Sequence, residues 1–372
     1  MGHRDRGHRG TSVFGLFLLG LLGCAAAACD GAGGGVSPAD TADVAPVSET
    51  VSEIVAEIVS ETVSEISPVT DTPAALAAAV DPDLWWEDLQ FIAQPREPGS
   101  PHWQAVQDLC AARFEDLGFA VTRHDYGTGV NVIGVKEGLG TPDEWVVVSA
   151  HYDHVAGCPG ADDNGSAVAG LLEIARVLAP ASFDRTLVFA CWDEEELGLM
   201  GSGAWAGEQA QAGRDIVASL VLEMIGYTCG EPGCQKMPMG FDLFFPEQAA
   251  EFLGGDQAGD FIVFIADWTS GEAATALVEQ SDAIGLPNLR FDMTAEQMGS
   301  PLLVDLFRSD HASFWYSGFP AIMITDSSSF RNPNYHCPDP EHMDTADTLD
   351  GVFAAEVSRA TAYTAADMAG VR

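Results

Sequence analysis

Residues 149–166 read SAHYDHVAGCPGADDNGS, placing His151, Asp153, His154, Asp162 and Asp163 between two apolar runs. Carboxylates packed this closely repel one another unless a cation lies among them. Two further segments share the pattern. The run TLVFACW (186–192) leads straight into DEEELG (193–198), and ASLVLEMI (218–225) carries Glu223 inside apolar surroundings. An unpartnered carboxylate is costly to bury there. A fourth segment, FRNPNYHCPDPEHMDTADTLD (330–350), offers His336 and His342. Zinc accepts imidazole nitrogen and carboxylate oxygen, and a catalytic zinc keeps one position open for water. Two zinc ions about 3.5–4 Å apart share a bridging carboxylate and clamp a hydrolytic water. Such a pair calls for about two histidines, three carboxylates and a free carboxylate as base. His151, Asp163, the glutamates at 194–196 and Glu223 supply all but the second histidine.

The elements that must position these residues alternate between strand and helix. PHWQAVQDLCAARFEDLGF (101–119) has helical spacing, and NVIGVKE (131–137) and EWVVVSA (144–150) read as strands. NGSAVAGLLEIARVLA (164–179) reads as a helix capped by Asn164 or Asp163, with Pro180 just past it. TLVFACW, ASLVLEMI and FPAIMIT (319–325) are near-continuous apolar runs, as expected of strands covered on both faces. The pattern predicts an α/β fold: a three-layer α/β/α sandwich with a mixed, mostly parallel central sheet and its site at the strand ends. Three strands would then deliver His151, the 193–196 carboxylates and Glu223 to one sheet edge.

Upstream, residues 1–29 read as a signal peptide: a basic start, then the apolar run TSVFGLFLLGLLG. Leu21-Leu22-Gly23-Cys24 resembles a bacterial lipobox, with Cys29 a poorer second candidate. The expectation is an exported chain, lipid-anchored to the cell envelope, or periplasmic or secreted if the lipobox is not used. Residues 30–80 contain GAGGG and an acidic repeat of period four (VSET VSEI VAEI VSET VSEI), read as an extended tether. Residues 81–372 form the folded domain. Asp and Glu outnumber Lys and Arg by 56 to 16, so nucleic acid and anionic membrane surfaces are excluded as partners, leaving membrane association to the lipid anchor alone.

The motifs HxD, GADDNGS, EELGLxGS, LEMIG, SDHxxFxxxGxPA and FRNPxYH with a later DT, in that order, resemble the co-catalytic zinc aminopeptidases of the bacterial leucyl aminopeptidase and aminopeptidase Y type. Glutamate carboxypeptidase II and glutaminyl cyclase are more distant relatives. The resemblance covers about residues 85 to 365. It implies two zinc ions per chain, with His151 on one, Asp163 bridging both, and Glu223 beside His151. Glu196 and His336 would hold the other zinc. It makes Glu195 the general base, Asp153 the carboxylate that fixes the His151 ring, and Tyr335 a hydrogen-bond donor to the oxyanion. The substrates implied are peptides with a free N-terminus, cleaved as by an aminopeptidase.

His336 keeps the FRNPxYH context and is preferred to His342, although YHCPDPEHMDT is longer than the family's spacing. If His151 and His336 share one metal pair, Cys158 and Cys337 lie close enough to pair. Cys229 and Cys234, in CGEPGC, suit a small disulfide loop, and Cys191 reads as a buried free thiol. His154 and His311 read as hydrogen-bonded structural residues and Glu194 as solvated. One alternative is a glutaminyl cyclase-like mononuclear zinc acyltransferase, whose pattern has Trp where this chain has Tyr335. The other is a non-catalytic exported binding lipoprotein, which loss of a ligand or of the base would signal; all of them are present.

Overall fold

The computed structural model describes residues 71–372. The signal segment, Cys24, Cys29 and the acidic repeat lie outside the described residues. Within 71–80, Pro73–Ala77 forms a helix capped by the Thr72 side chain, and Leu76 and Ala77 are buried. Packed chain therefore begins before Asp81.

Eight strands form one sheet: β1 (Ala120–Asp125), β2 (Val130–Lys136), β3 (Thr141–His151), β4 (Arg185–Trp192), β5 (Asp215–Glu223), β6 (Ile262–Asp267), β7 (Asn288–Met293) and β8 (Ile322–Thr325). Their order is β1-β2-β4-β3-β5-β8-β6-β7. The pairs β3–β4, β3–β5, β5–β8 and β6–β7 are parallel, and the other three are antiparallel. The sheet is thus mixed and mostly parallel, as the sequence predicts.

Both faces are covered, which is why the central strands read as unbroken apolar runs. Along β4, Leu187, Phe189 and Cys191 enter one core while Val188, Ala190 and Trp192 enter the other. The first core is closed by Pro82–Ile92, Pro101–Asp116, Ala167–Leu178, Gly271–Ile284 and Gly351–Ala369, through residues such as Leu89, Phe114, Leu171, Leu277 and Phe353. The second is closed by Met200–Gln211 and His311–Ser317, through Trp205 and Phe314. Side-chain oxygens of Asp81, Ser100 and Asp350 cap three of these helices.

The helix predicted over 164–179 runs over Ala167–Leu178, and neither Asp163 nor Asn164 caps it. Asn164 spends its side chain on the sheet instead, donating from Nδ2 to Leu222 O (3.1 Å) and accepting from Met224 N (2.8 Å). Cys229 and Cys234 are disulfide-bonded, and Cys110 and Cys191 are free and buried.

Candidate metal centre

Strand register sets the site's first half. His151 pairs with Trp192 across β3–β4, and Ser149 pairs with Val221 across β3–β5. Two residues further on, that register puts His151 level with Glu223. The last residues of β3 and β5 therefore present an imidazole and a carboxylate side by side: His151 Nε2 lies 3.4 Å from Glu223 Oε2. Glu223 Oε2 also accepts from Ser309 Oγ at 2.8 Å.

Asp163 arrives on the turn between β3 and the helix Ala167–Leu178. The Asp344 carboxylate accepts from the backbone N–H of Asp162 (2.9 Å) and of Asp163 (3.0 Å), which holds that turn. The Asp163–Asn164 peptide is cis. Asp163 Oδ1 lies 3.4 Å from His151 Nε2, and its Oδ2 lies 3.1 Å from His336 Nε2. His336 Nε2 is in turn 3.2 Å from Glu196 Oε2. One carboxylate thus serves two donor trios, His151/Asp163/Glu223 and Asp163/Glu196/His336, with one oxygen for each.

These contacts have the character of a ligand shell. Nε2 of His151 and Nε2 of His336 are buried and make no hydrogen bond, although each has two carboxylate oxygens within 3.4 Å. Donors about 2.0–2.1 Å from a tetrahedral zinc stand about 3.3 Å from one another. The observed separations, 3.1–3.4 Å, lie around that value. A set made only of nitrogen and carboxylate oxygen suits zinc.

The charges agree. Burial works to raise the Asp163 pKa, yet His154, His151 and His336 hold it well below the usual carboxylate range. Burial lowers that of His151, but Glu195 and Glu223 outweigh it and the imidazole stays well above its ordinary value. Burial pushes the Glu195 carboxyl well up; His151 opposes this, and Glu223 and Asp310 add to it. Asp310 is wholly buried, and burial raises it to about 7.

Asp153 does more than attend to His151. Its Oδ1 is 3.5 Å and its main-chain oxygen 3.3 Å from His151 Nδ1. Its two carboxylate oxygens accept from the backbone N–H of Glu195 (3.0 Å) and Glu196 (3.2 Å), lashing the end of β3 to the loop after β4. The Tyr335 ring stacks on that of His336 at 3.8 Å, and its hydroxyl accepts from Arg308 Nη2 at 3.0 Å. Cys158 and Cys337 form a disulfide, which ties the loop after His151 to the residue following His336. His342 stands apart, half-exposed and paired with Asp339.

Two expectations are corrected. Glu194 is buried, with Oε2 accepting from Thr128 Oγ1 (2.6 Å) and Tyr126 OH (3.2 Å), because its loop folds back over the β1–β2 hairpin. His154 makes no hydrogen bond through either ring nitrogen; its Nδ1 lies 3.0 Å from Glu196 Oε1 and 3.9 Å from Asp163 Oδ1, so it belongs to the centre. Its place in HYDH, three residues after His151, was the available signal. His311 does behave as a structural residue, donating from Nε2 to Leu306 O at 2.8 Å, with burial lowering its pKa to about 4.

An α/β fold with a cluster of nitrogen and carboxylate donors at its strand ends is a candidate metal-binding protein. Residues 131–250 match "Peptidase family M28". That stretch, about a third of the chain, is similar to this family and contains His151, Asp163, Glu195, Glu196 and Glu223. The uncharacterized protein YfbL of Escherichia coli (strain K12) is 34% identical over 226 residues, 57% of this chain and 63% of YfbL. Aminopeptidase YwaD of Bacillus subtilis (strain 168) is 39% identical over 104 residues, 27% of this chain and 22% of YwaD. The match thus spans less than two thirds of either relative. Among solved structures, the LapA aminopeptidase of Legionella pneumophila has the same fold, with a TM-score of 0.60 at 18% identity over 80% of this chain and 73% of LapA.

Proposed function

We propose that the protein is a zinc metallopeptidase of the aminopeptidase type, holding two zinc ions and releasing N-terminal residues from peptides. The observation that carries this is the division of Asp163 between two donor trios, with the buried Glu195 beside them. His151 and Glu223 would hold one ion, Glu196 and His336 the other, and Asp163 both. Bound there, the pair supplies an acidified water and a Lewis acid for the scissile carbonyl. Glu195, its proton affinity raised by burial, takes the proton of the attacking water and returns it to the leaving amine. Tyr335 accepts from Arg308, which leaves its own hydrogen free for the oxyanion. The acidic surroundings suit the cationic α-amine of a peptide.

A pocket of about 90 Å³ has Glu223 and Tyr335 in its wall and Phe241, Phe261, Phe291 and Phe330 among its apolar lining. That lining supports a bulky apolar N-terminal side chain as the preferred substrate. The test is a zinc count on purified protein alongside assays of leucine, phenylalanine and aspartate amides and of an N-terminal glutaminyl peptide. About two zinc ions, faster release of leucine and phenylalanine than of aspartate, and a loss of about 10²–10⁴-fold in Glu195→Gln with metal retained are expected. One zinc with cyclisation of the glutaminyl peptide would replace this reading with the cyclase. No metal and no turnover would leave a binding module.

Export with lipidation at Cys24 is proposed on the N-terminal pattern alone. Loss of the protein from the membrane fraction in Cys24→Ala is the expected outcome, and retention there would refute the anchor.

A further inference from the structure

Arg96 stands in the loop QPREPGS between two helices, distant in sequence from every donor, and is wholly buried. All five N–H groups of its guanidinium go to main-chain carbonyls. Nε donates to Tyr152 O at 2.9 Å. Nη1 donates to Pro159 O at 2.6 Å and Ile92 O at 3.4 Å. Nη2 donates to Gly160 O at 2.7 Å and Asp163 O at 3.1 Å. Taking a guanidinium out of water costs several kcal/mol, which hydrogen bonds must offset. Four of the five acceptors lie within 152–163, the segment that carries Asp153, His154, Cys158 and Asp163. The cation is therefore the hub around which that segment turns back on itself.

The turn has little slack. Gly160 sits at φ +60°, and a Cβ there would lie 2.5 Å from His154 Cδ2 and 2.4 Å from the Asp163 carbonyl oxygen. That same oxygen accepts from Arg96 Nη2. The backbone of the shared carboxylate is thus fixed from two sides, by Asp344 on its N–H and Arg96 on its C=O.

We propose that Arg96 is a positioning residue for the metal centre. Without touching metal or substrate, it holds the 152–163 segment so that one Asp163 oxygen faces each donor trio. This rests on reading the site as a zinc centre. A planar five-donor fork is needed, and lysine, with three donors on one nitrogen, cannot reproduce it.

The test compares full-chain wild type with Arg96→Lys, Arg96→Met and Phe114→Leu, the last altering the core of the helix Pro101–Asp116. Zinc affinity is read by chelator competition, and ligand geometry by the visible absorption of the cobalt-substituted protein. Arg96→Lys is expected to fold, bind zinc about 10–100-fold more weakly and shift the cobalt spectrum. Phe114→Leu is expected to lower Tm and change neither. Should Arg96→Met fail to fold, Arg96→Lys decides. Wild-type zinc affinity and an unchanged cobalt spectrum in Arg96→Lys would overturn the proposal whatever its Tm. The same holds if Phe114→Leu weakens zinc as much. A wild-type protein that binds no zinc would instead remove the metal reading, and this inference with it.

Discussion

The two halves of the centre share Asp163 and are built in different ways. On one side, His151 and Glu223 end neighbouring strands, and sheet register places them. Their side chains are 1% and 9% exposed. On the other side, Glu196 and His336 come from loops, and the His336 side chain is 33% exposed. A strand-end donor is fixed by a whole sheet of hydrogen bonds. A loop donor needs its own supports: the Cys158–Cys337 disulfide, the Tyr335 ring stacked on the imidazole, and Asp153 under the Glu196 N–H. Similar donor sets are thus held by different means, sheet register on one side and loop contacts on the other. The strand side is expected to bind its ion more tightly, and the loop side to lose its ion first under a chelator.

The sharpest break would come at the shared residue. Asp163→Ala should empty both halves, and losing several kcal/mol of transition-state stabilisation lowers kcat/KM by about 10³-fold or more. His336→Ala should remove one zinc equivalent and leave the strand side loaded. Elemental analysis after dialysis separates these outcomes. If Asp163→Ala kept one tightly held zinc, the halves would be independent and the argument from the shared carboxylate would fail. A smaller effect is expected from Cys337→Ser. Freeing that support should weaken the loop-side zinc alone, by roughly 10-fold, whereas Cys229→Ser, at the small remote loop, should move neither. Equal weakening of both zinc ions in Cys337→Ser would erase the distinction.

The same division explains what was legible in the sequence. Donors at strand ends announce themselves, because an apolar run that stops at a His or carboxylate has few other readings; His151, Glu223 and the 193–196 loop were found this way. Most of the central strands were read from their burial on both faces. The edge strand β1, exposed along much of AVTRHD, has no such signature. β6 is wholly buried, but its run IVFIAD fell in a region where no neighbouring motif marked out an element. His336 needed the family motif, because loop geometry is not written in periodicity. Arg96 was illegible: its partners lie 56–67 residues away for all but Ile92 and are main-chain atoms, which leave no trace in residue type. The expectation of a solvated Glu194 fails because nothing local shows that Tyr126 and Thr128 fold over it.

The most local expected effect, confined to one imidazole, is in pH dependence. Burial lowers the His336 pKa, but the flanking Asp163 and Glu196 carboxylates more than reverse it and lift it to about 10. In metal-free protein this folded-state value lies above the unfolded one, about 6.5. The charged imidazole therefore contributes stability that is fully present below about pH 6.5 and is lost as pH rises through about 10. Zinc needs the neutral ring, so loading the loop side must displace that proton. Loop-side affinity should then rise by about tenfold per pH unit between pH 7 and 9, with one proton released per zinc. Calorimetric titration in buffers of different ionisation enthalpy counts that proton. In His336→Ala the release tied to the loop side should vanish, while the strand side keeps its own through His151, whose pKa is also raised. Release that stayed unchanged in His336→Ala would mean that the proton comes from another group, and that the carboxylates do not hold this imidazole charged.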